Sequence, residues 1–425
     1  MACVGKNVGI CEDHRCKSLL SSLRTWSAIH ARDSVDAGSS AARPTHCCRL
    51  HLLKKSILIH SGARSLPRVG LVGPLPPPSG GMANQCEQLV ELLRSEGVEV
   101  DLVQTNSPYQ PAWAGRIPML RAVFRLLPYL ARLWVVAGRV GVMHVLANSG
   151  WAWHLFAAPA LLVARLRRTP VIVNYRGGNA DPFLSHGPGY VLRMLARASM
   201  RVTPSVFLQR VFAKHGLSAQ VIPNIIDLSR FAPRPPRSFG DSPHIVVTRN
   251  LEAIYDIPTA IRAFASIRNA FPGATMTVAG SGPELANLQA LALRMQLGDC
   301  VRFSGRIDNA SIPALYASAD CLINSSTVDN MPISILEAFA SGVPVVSTRA
   351  GGIPDMVEHG VSGLLVPVGD DRAMAREVVH LLQNPEFASS LRRAGLADAQ
   401  KYAWPQVRAK WLNAYGESAT HGSAP

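Results

Sequence analysis

From Arg68 onward the chain repeats one local pattern: a short apolar run, a loop, a helical stretch and another apolar run. Val69–Val72 (VGLV) reads as a strand and residues 73–81 (GPLPPPSGG) as a loop. Ala83–Arg94 carries helical spacing through Leu89, Leu92 and Leu93, and Val98–Val103 alternates as a second strand. This order is the βαβ unit of a parallel α/β sheet. Strands at Val140–Leu146, Pro170–Asn174 and Ala219–Ile222 continue it, with a helical reading for residues 191–213. Residues 231–243 (FAPRPPRSFGDSP) are rich in Pro, Gly and Ser and read as a linker. A second set follows, with strands at His244–Thr248, Ala274–Ala279, Cys300–Ser304, Cys321–Asn324, Val343–Ser347 and Gly363–Val366 and helices between them. The predicted fold class is therefore α/β: two Rossmann-like domains, 67–230 and 244–425, facing across a cleft. Residues 1–66 mix Ser, Arg, His and Cys without sustained period and are expected to lie outside the fold as an extension.

Charge is distributed unevenly. Residues 102–213 hold thirteen Arg, no Lys and a single acidic residue, Asp181, within a chain of net charge +15. A local field of that sign favours a polyanionic partner. The segment 116–139 (RIPMLRAVFRLLPYLARLWVVAGR) puts Arg121, Arg125, Arg132 and Arg139 within about 40° of one another on an otherwise apolar helix. Such a face suits an anionic membrane surface, with Pro128 expected to kink or split the helix. A core-packed helix pair with a solvated Arg face is the alternative. The uncharged stretch Val140–Ala164 is interrupted by His144, Asn148, Ser149, His154 and Pro159 and does not read as a membrane span. Nucleic acid is disfavoured as the anion, because no recognition motif accompanies the arginines and aromatic residues make up only 6 %. Five of the eight cysteines lie in the first 48 residues and none forms a CxxC pair, which argues for a reducing compartment and against zinc. The expected location is cytoplasmic, peripheral on a membrane face.

The densest chemical signal is Ser325–Gly352, SSTVDNMPISILEAFASGVPVVSTRAGG. Asp329 and Glu337 stand eight apart around a helix expected to open near Pro332 or Ile333. The unpaired N–H groups of that helix start form a seat for a diphosphate. Asp329 and Asn330 can hydrogen-bond sugar hydroxyls, and Glu337 can hold a vicinal diol such as that of a ribose. Gly342 and the turn at Ala350, Gly351 and Gly352 permit close backbone approach. Taken by itself, the stretch could also be an N-cap followed by a helix with one surface Glu.

Several ordered stretches resemble the glycosyltransferases of family 4, retaining enzymes of the GT-B fold. Asp329-x7-Glu337 followed by Ala338–Val346 (AFASGVPVV) is similar to that family's Glu-x7-Glu signature and the strand after it. Ile222–Asp227 (IPNIID), Ala279–Glu284 (AGSGPE) and Phe303–Arg306 (FSGR) match further stretches, with Ile225 where Gly is usual. The resemblance covers roughly residues 67–410. It implies transfer of a sugar from a nucleotide-sugar donor to a glycan or lipid-linked acceptor in cell-envelope or extracellular polysaccharide synthesis, with no cofactor and no metal. It implies that Glu337 binds the ribose, that Asp329 touches the transferred sugar, and that N–H groups near Asn330, Met331 and Pro332 hold its hydroxyls. Those near Ile335 and Leu336 would hold the diphosphate, with Gly305 and Arg306 beside the base. Arg249 would bind phosphate, and Gly80 and Gly81 would form the glycine loop that closes over donor and acceptor.

Two departures bear on mechanism. The family's Lys after the phosphate-binding Arg is absent, since Arg249–Tyr255 reads RNLEAIY and Tyr255 can donate a hydrogen bond but no charge. In Val173–Gly178 (VNYRGG), Arg176 stands where many members have His. Arg176 is expected to face the donor across the cleft and to restore the missing positive charge. Three other readings compete: an epimerase or phosphorylase of the same two-domain form, a catalytically degenerate nucleotide-sugar-binding partner, and a nucleic-acid binder. A pyridoxal-phosphate phosphorylase is disfavoured because the only lysines from 243 onward are Lys401 and Lys410, near the tail.

Overall fold

The computed structural model describes residues 66–77, 80–109, 118–233 and 239–421. The expectations for the 1–66 extension and for the middle of the 231–243 linker lie outside them. Six strands form a first sheet: β1 (Val69–Gly73), β2 (Val100–Gln104), β3 (Val142–Ala147), β4 (Val171–Tyr175), β5 (Met200–Thr203) and β6 (Gln220–Val221), in the order β2-β1-β3-β4-β5-β6. Six more form the second: β7 (His244–Thr248), β8 (Thr275–Ala279), β9 (Val301–Gly305), β10 (Cys321–Asn324), β11 (Val345–Thr348) and β12 (Leu364–Val366), in the order β12-β11-β10-β7-β8-β9. Every strand pair is parallel. Parallel strands covered on both faces read as continuous apolar runs, and β1, β3, β4, β10 and β11 are buried at every position.

Both sheets reverse direction beside their first strand. In the second, the chain steps outward from β7 to β9 and then returns to the far side of β7 at β10. In the first, it visits β2 and returns to the far side of β1 at β3. Such reversals open a crevice at the carboxyl ends of the strands. The loops after β1, β3, β7 and β10 are therefore the ones that can build a site.

Two sequence expectations need correction. Residues 191–213 are not one helical stretch: helix Tyr190–Ala196 ends, β5 intervenes, and helix Val206–Lys214 follows. A four-residue strand carrying Arg201 offers no period of its own. Arg201 is tolerated beside buried Val202 because it donates to the carbonyls of Leu195 and Ala198 at 3.1 Å and of Ser218 at 2.6 Å. Pro128 also does not split its helix, which runs unbroken over Pro118–Ala137. Of the Arg stripe, Arg132 and Arg139 are exposed, whereas Arg125 is half-buried with its guanidinium 4.2 Å over the Tyr109 ring. The Arg121 side chain lies outside the described part.

The final helix, Trp404–His421, returns to the first sheet. Val407, Trp411 and Tyr415 pack among Leu71, Leu89, Val142 and Ile172. Trp411 stacks on His144 at 4.7 Å, and the Tyr415 hydroxyl meets His144 Nδ1 at 2.8 Å. Burial holds His144 neutral, so it is a packed residue of this junction. No described helix is long and apolar enough to cross a membrane.

Candidate functional site

A cleft of about 820 Å³ is lined by the loops at the carboxyl ends of both sheets. From the first sheet come Gly80 and Gly81 after β1, Asn148–Gly150 after β3, and Arg176 after β4. From the second come Arg249 after β7 and Val328–Ser334 after β10. Two helix N-termini meet here. Helix Gly81–Ser95 starts at the glycine pair, and a Cβ added at Gly81 would stand 3.9 Å from Ile333 Cγ1 at the start of helix Ile333–Ala340. Unpaired N–H groups and both positive dipole ends therefore face one space.

Close backbone packing positions the acidic loop. Gly351 has a φ of +54°, and a Cβ there would stand 2.1 Å from the Asp329 carbonyl oxygen; one on Gly352 would stand 2.1 Å from that of Asn330. The Gly352 N–H donates to the Asp329 carbonyl at 2.7 Å. The same device supports Arg249, because a Cβ on Gly280 would overlap the Arg249 carbonyl, while Arg249 N–H donates to Ala279 and Leu251 N–H to Ser281, both at 3.1 Å.

Arg249 is almost enclosed. Its guanidinium pairs with the Asp329 carboxylate and lies 4.1 Å over the Tyr255 ring, and its Nε has no partner. Burial raises the Asp329 carboxyl, while Arg249, the Asn330 N–H and the Ser326 hydroxyl pull it back. Tyr255 thus stands against the arginine as an aromatic face, and burial raises its hydroxyl. Opposite, the half-buried Arg176 donates to Oδ1 of Asn224, and Asn224 donates from Nδ2 to the Met331 carbonyl at 2.8 Å. Asn330 Nδ2 closes the loop on the Arg176 carbonyl at 3.0 Å. Burial lowers the Arg176 guanidinium to about 10, which leaves it charged at neutral pH, and none of the described ion pairs gives it a carboxylate. A charged, half-buried guanidinium that lines a cleft without a carboxylate in the described ion pairs favours an anionic ligand there.

Glu337 lies one turn into the Ile333 helix. Tyr316 donates to its Oε2 at 3.2 Å, and the Tyr316 hydroxyl also contacts the Ser334 carbonyl at 3.0 Å and Thr248 Oγ1 at 2.7 Å. Burial raises the carboxyl to about 7 despite that hydrogen bond and the charges of Arg230 and Arg249. Three further buried atoms on cleft residues have no partner: Asn84 Oδ1, Asn330 Oδ1 and Ser334 Oγ. Polar atoms left unpaired in one cleft are capacity for a polar ligand.

Most of the expected residues converge on the cleft: Gly80, Gly81, Arg176, Arg249, Tyr255, Arg306, Asn330, Met331, Pro332, Asp329 and Glu337. Gly305, Ile335 and Leu336 do not line it. Gly305 spends its carbonyl on the Gly280 N–H, and Ile335 N–H donates to Pro332 at 3.2 Å, with both Ile335 and Leu336 side chains in the core. From the start of helix Ile333–Ala340, Ile333 and Ser334 line the cleft. Residue patterns did not single out Asn224, Tyr316 and Ser334. The IPNIID stretch was the only available signal, for Asn224; Tyr316 comes from a different helix and reaches Glu337 through folding alone.

Two parallel six-stranded sheets with a cleft lined by the carboxyl ends of both are the architecture of a GT-B glycosyltransferase. Residues 79–230 match the model of Glycosyltransferase Family 4, and residues 230–397 match that of the Glycosyl transferases group 1. The chain belongs to this family of glycosyltransferases. It is 27 % identical, over 75 % of its length and 90 % of the relative's, to the GDP-mannose-dependent alpha-(1-6)-phosphatidylinositol monomannoside mannosyltransferase of Mycolicibacterium smegmatis. Among solved structures it resembles sucrose-phosphate synthase of Thermosynechococcus elongatus, with a TM-score of 0.67 at 19 % identity, covering 83 % of this chain and 100 % of that one. It also resembles Anabaena HepE in complex with UDP-glucose, with a TM-score of 0.64 at 19 % identity, covering 82 % and 99 %. These two likenesses establish the fold.

Gly351→Ala is expected to displace the Asp329 loop and cost more than about 1 kcal/mol. Gly360→Ala shares a positive φ of +78° but meets open space. Thermal unfolding of both separates backbone strain from the steric clash, and only Gly351→Ala should also lose stabilisation by nucleoside diphosphates.

Proposed function

We propose that the chain transfers a sugar, with retention of configuration, from a nucleoside-diphosphate sugar to a lipid-borne acceptor. The observation that carries the donor assignment is the half-buried Arg176, without a carboxylate among the described ion pairs, lining with Arg249 the cleft where two helix N-termini meet. Departure of a nucleoside diphosphate develops negative charge on the β-phosphate. Fixed donors aimed at that position stabilise it without reorganisation. In the unliganded cleft Asp329 neutralises Arg249. A sugar hydroxyl that takes the Asp329 carboxylate would release Arg249 to the phosphate, so that donor and ion pair exchange partners. Ile333 and Ser334 N–H groups complete the diphosphate seat, and Glu337 takes the ribose diol. A leaving phosphate on the same face as the acceptor hydroxyl can accept its proton, which is the chemistry of retention. The Mycolicibacterium relative makes GDP-mannose the first donor to test and supports an acceptor carried on lipid.

Arg176→Gln keeps a donor for Asn224 but removes the charge. It is expected to lower kcat about 100-fold or more with unchanged folding, as loss of a fixed transition-state donor does. A kcat within a factor of two of the parent would remove Arg176 from the donor site. Product anomers followed by NMR read the stereochemistry.

The ionised form of Glu337 is the one that accepts two hydroxyl hydrogen bonds, whereas its unliganded carboxyl titrates near 7. Ribose binding should therefore expel a proton. Nucleotide affinity is expected to weaken as pH falls below about 7, with proton release in calorimetry at pH 6.5 that disappears in Glu337→Gln. Equal affinity at pH 6 and pH 8 would overturn the assignment.

Membrane contact is supported by the first domain's surface. Helix Pro118–Ala137 exposes Leu127, Trp134 and Val135, and its neighbour Ala158–Leu166 exposes Leu162 and Leu166. Arg132, Arg139, Arg165, Arg167 and Arg168, on or just beyond the same two helices, are exposed as well, with the Arg167 guanidinium 4.9 Å over the Trp134 ring. Exposed apolar side chains within a basic rim fit an anionic headgroup layer. Flotation with anionic vesicles is expected to carry the protein, neutral vesicles should carry little, and a Leu127→Ser, Trp134→Ser double variant should remain in solution with both.

A further inference from the structure

The first sheet carries an aromatic cluster that the donor site does not use, and it begins where the cleft wall ends. Asn148, Ser149 and Gly150 line the cleft after β3. The next residue, Trp151, is 77 % exposed, more than any other large apolar side chain described. Its ring meets His154 edge-on at 6.0 Å. His154 in turn lies 5.9 Å from the Phe183 ring and 5.8 Å from that of Tyr190, and its Nδ1 hydrogen-bonds the Tyr190 hydroxyl. Phe183 belongs to helix Ala180–His186, which starts directly after the cleft residues Gly178 and Asn179. The segments after two strands thus carry the cluster, with Trp151 directly beyond cleft-lining Gly150 and Phe183 four residues beyond cleft-lining Asn179.

The local backbone keeps Trp151 outward. Gly150 has a φ of +68°, a left-handed turn that a side chain would strain. A single π-helical turn, Trp153–Ala157, follows, and there Trp153 is fully buried while Trp151 is not. Such turns are frequent at functional sites.

We infer that Trp151, with His154 and Tyr190 beside it, is the subsite for a pyranose ring of the acceptor, one unit removed from the hydroxyl that reacts. This rests on the reading of the cleft as a glycosyl-transfer site. A pyranose presents a face of C–H bonds and a rim of hydroxyls. An indole face takes the first, and the amides and hydroxyl of Asn148, Ser149 and Asn179 can meet the second. The surroundings favour a sugar over a lipid tail, since the cluster is aromatic and polar. The exposed leucines and valine of the first domain's membrane-facing surface belong instead to helices Pro118–Ala137 and Ala158–Leu166.

Hexyl α-D-mannopyranoside carries a ring and a short tail in one probe. Saturation-transfer NMR on the full chain with saturating GDP is expected to mark the ring C–H protons more strongly than the tail. Trp151→Ala should lose that transfer, and Trp151→Phe should recover part of it. Equal transfer in wild type and Trp151→Ala, transfer confined to the hexyl tail, or no transfer in wild type would each overturn the subsite. Stabilisation by GDP and UDP is measured in parallel. Nucleotide stabilisation equal in wild type and Trp151→Ala shows that the variant is folded with its donor site intact. Its absence from both would instead remove the donor reading, independently of the sugar signal.

Discussion

A parallel strand reaches its neighbour only through a crossover, so every strand of a parallel sheet points the same way and every connecting helix starts at the same end. Both sheets of this protein obey that constraint, and both reverse their strand order beside the first strand. Two crevices therefore open toward one cleft. The loops after β1, β3, β4, β7 and β10 have nowhere else to go, and they carry Gly81, Ser149, Arg176, Arg249 and Asp329. The site is a consequence of topology before it is a consequence of any single residue.

Glycine then refines what topology brings near. Gly280 and Gly351 are small because backbone carbonyls of Arg249 and Asp329 occupy the space a Cβ would need. Those contacts set the two loops at the distance where Arg249 and Asp329 pair. Across the cleft, Asn224 connects Arg176 to the Met331 carbonyl, so the arginine of one sheet is tied to the acidic loop of the other. The polar network spans both sheets and leaves positive charge facing the space between them. Such an arrangement is costly to bury empty, which is the physical reason to read it as prepared for a phosphate.

The first sheet has a separate economy of surface. Exposed leucines lie with Trp134 and Arg132 on one helix pair, while Trp151, His154 and Tyr190 gather on elements that follow β3 and β4. The surface proposed to meet a headgroup layer and the cluster proposed to meet a sugar are thus carried by different elements.

The amino-acid order alone determined the alternation of strands and helices, the start of the Ile333 helix and a set of candidate residues most of which line the cleft. These depend on apolar period, on Pro and Gly placement, and on residue types whose roles are local. β5 escaped notice because four residues containing Arg201 have no period, and its arginine is satisfied by carbonyls that only the fold gathers. The family resemblance put phosphate donors near Ile335 and Leu336; in the fold their side chains are in the core and Ile335 N–H turns back to the Pro332 carbonyl, while Ile333 and Ser334 line the cleft. Tertiary structure alone decided the pairing of Arg249 with Asp329, the tie of Arg176 to Asn224, and the Tyr316 bond that holds Glu337. Each joins residues between 21 and 80 positions apart, and such distances become contacts only when parallel sheets turn their carboxyl ends to one place.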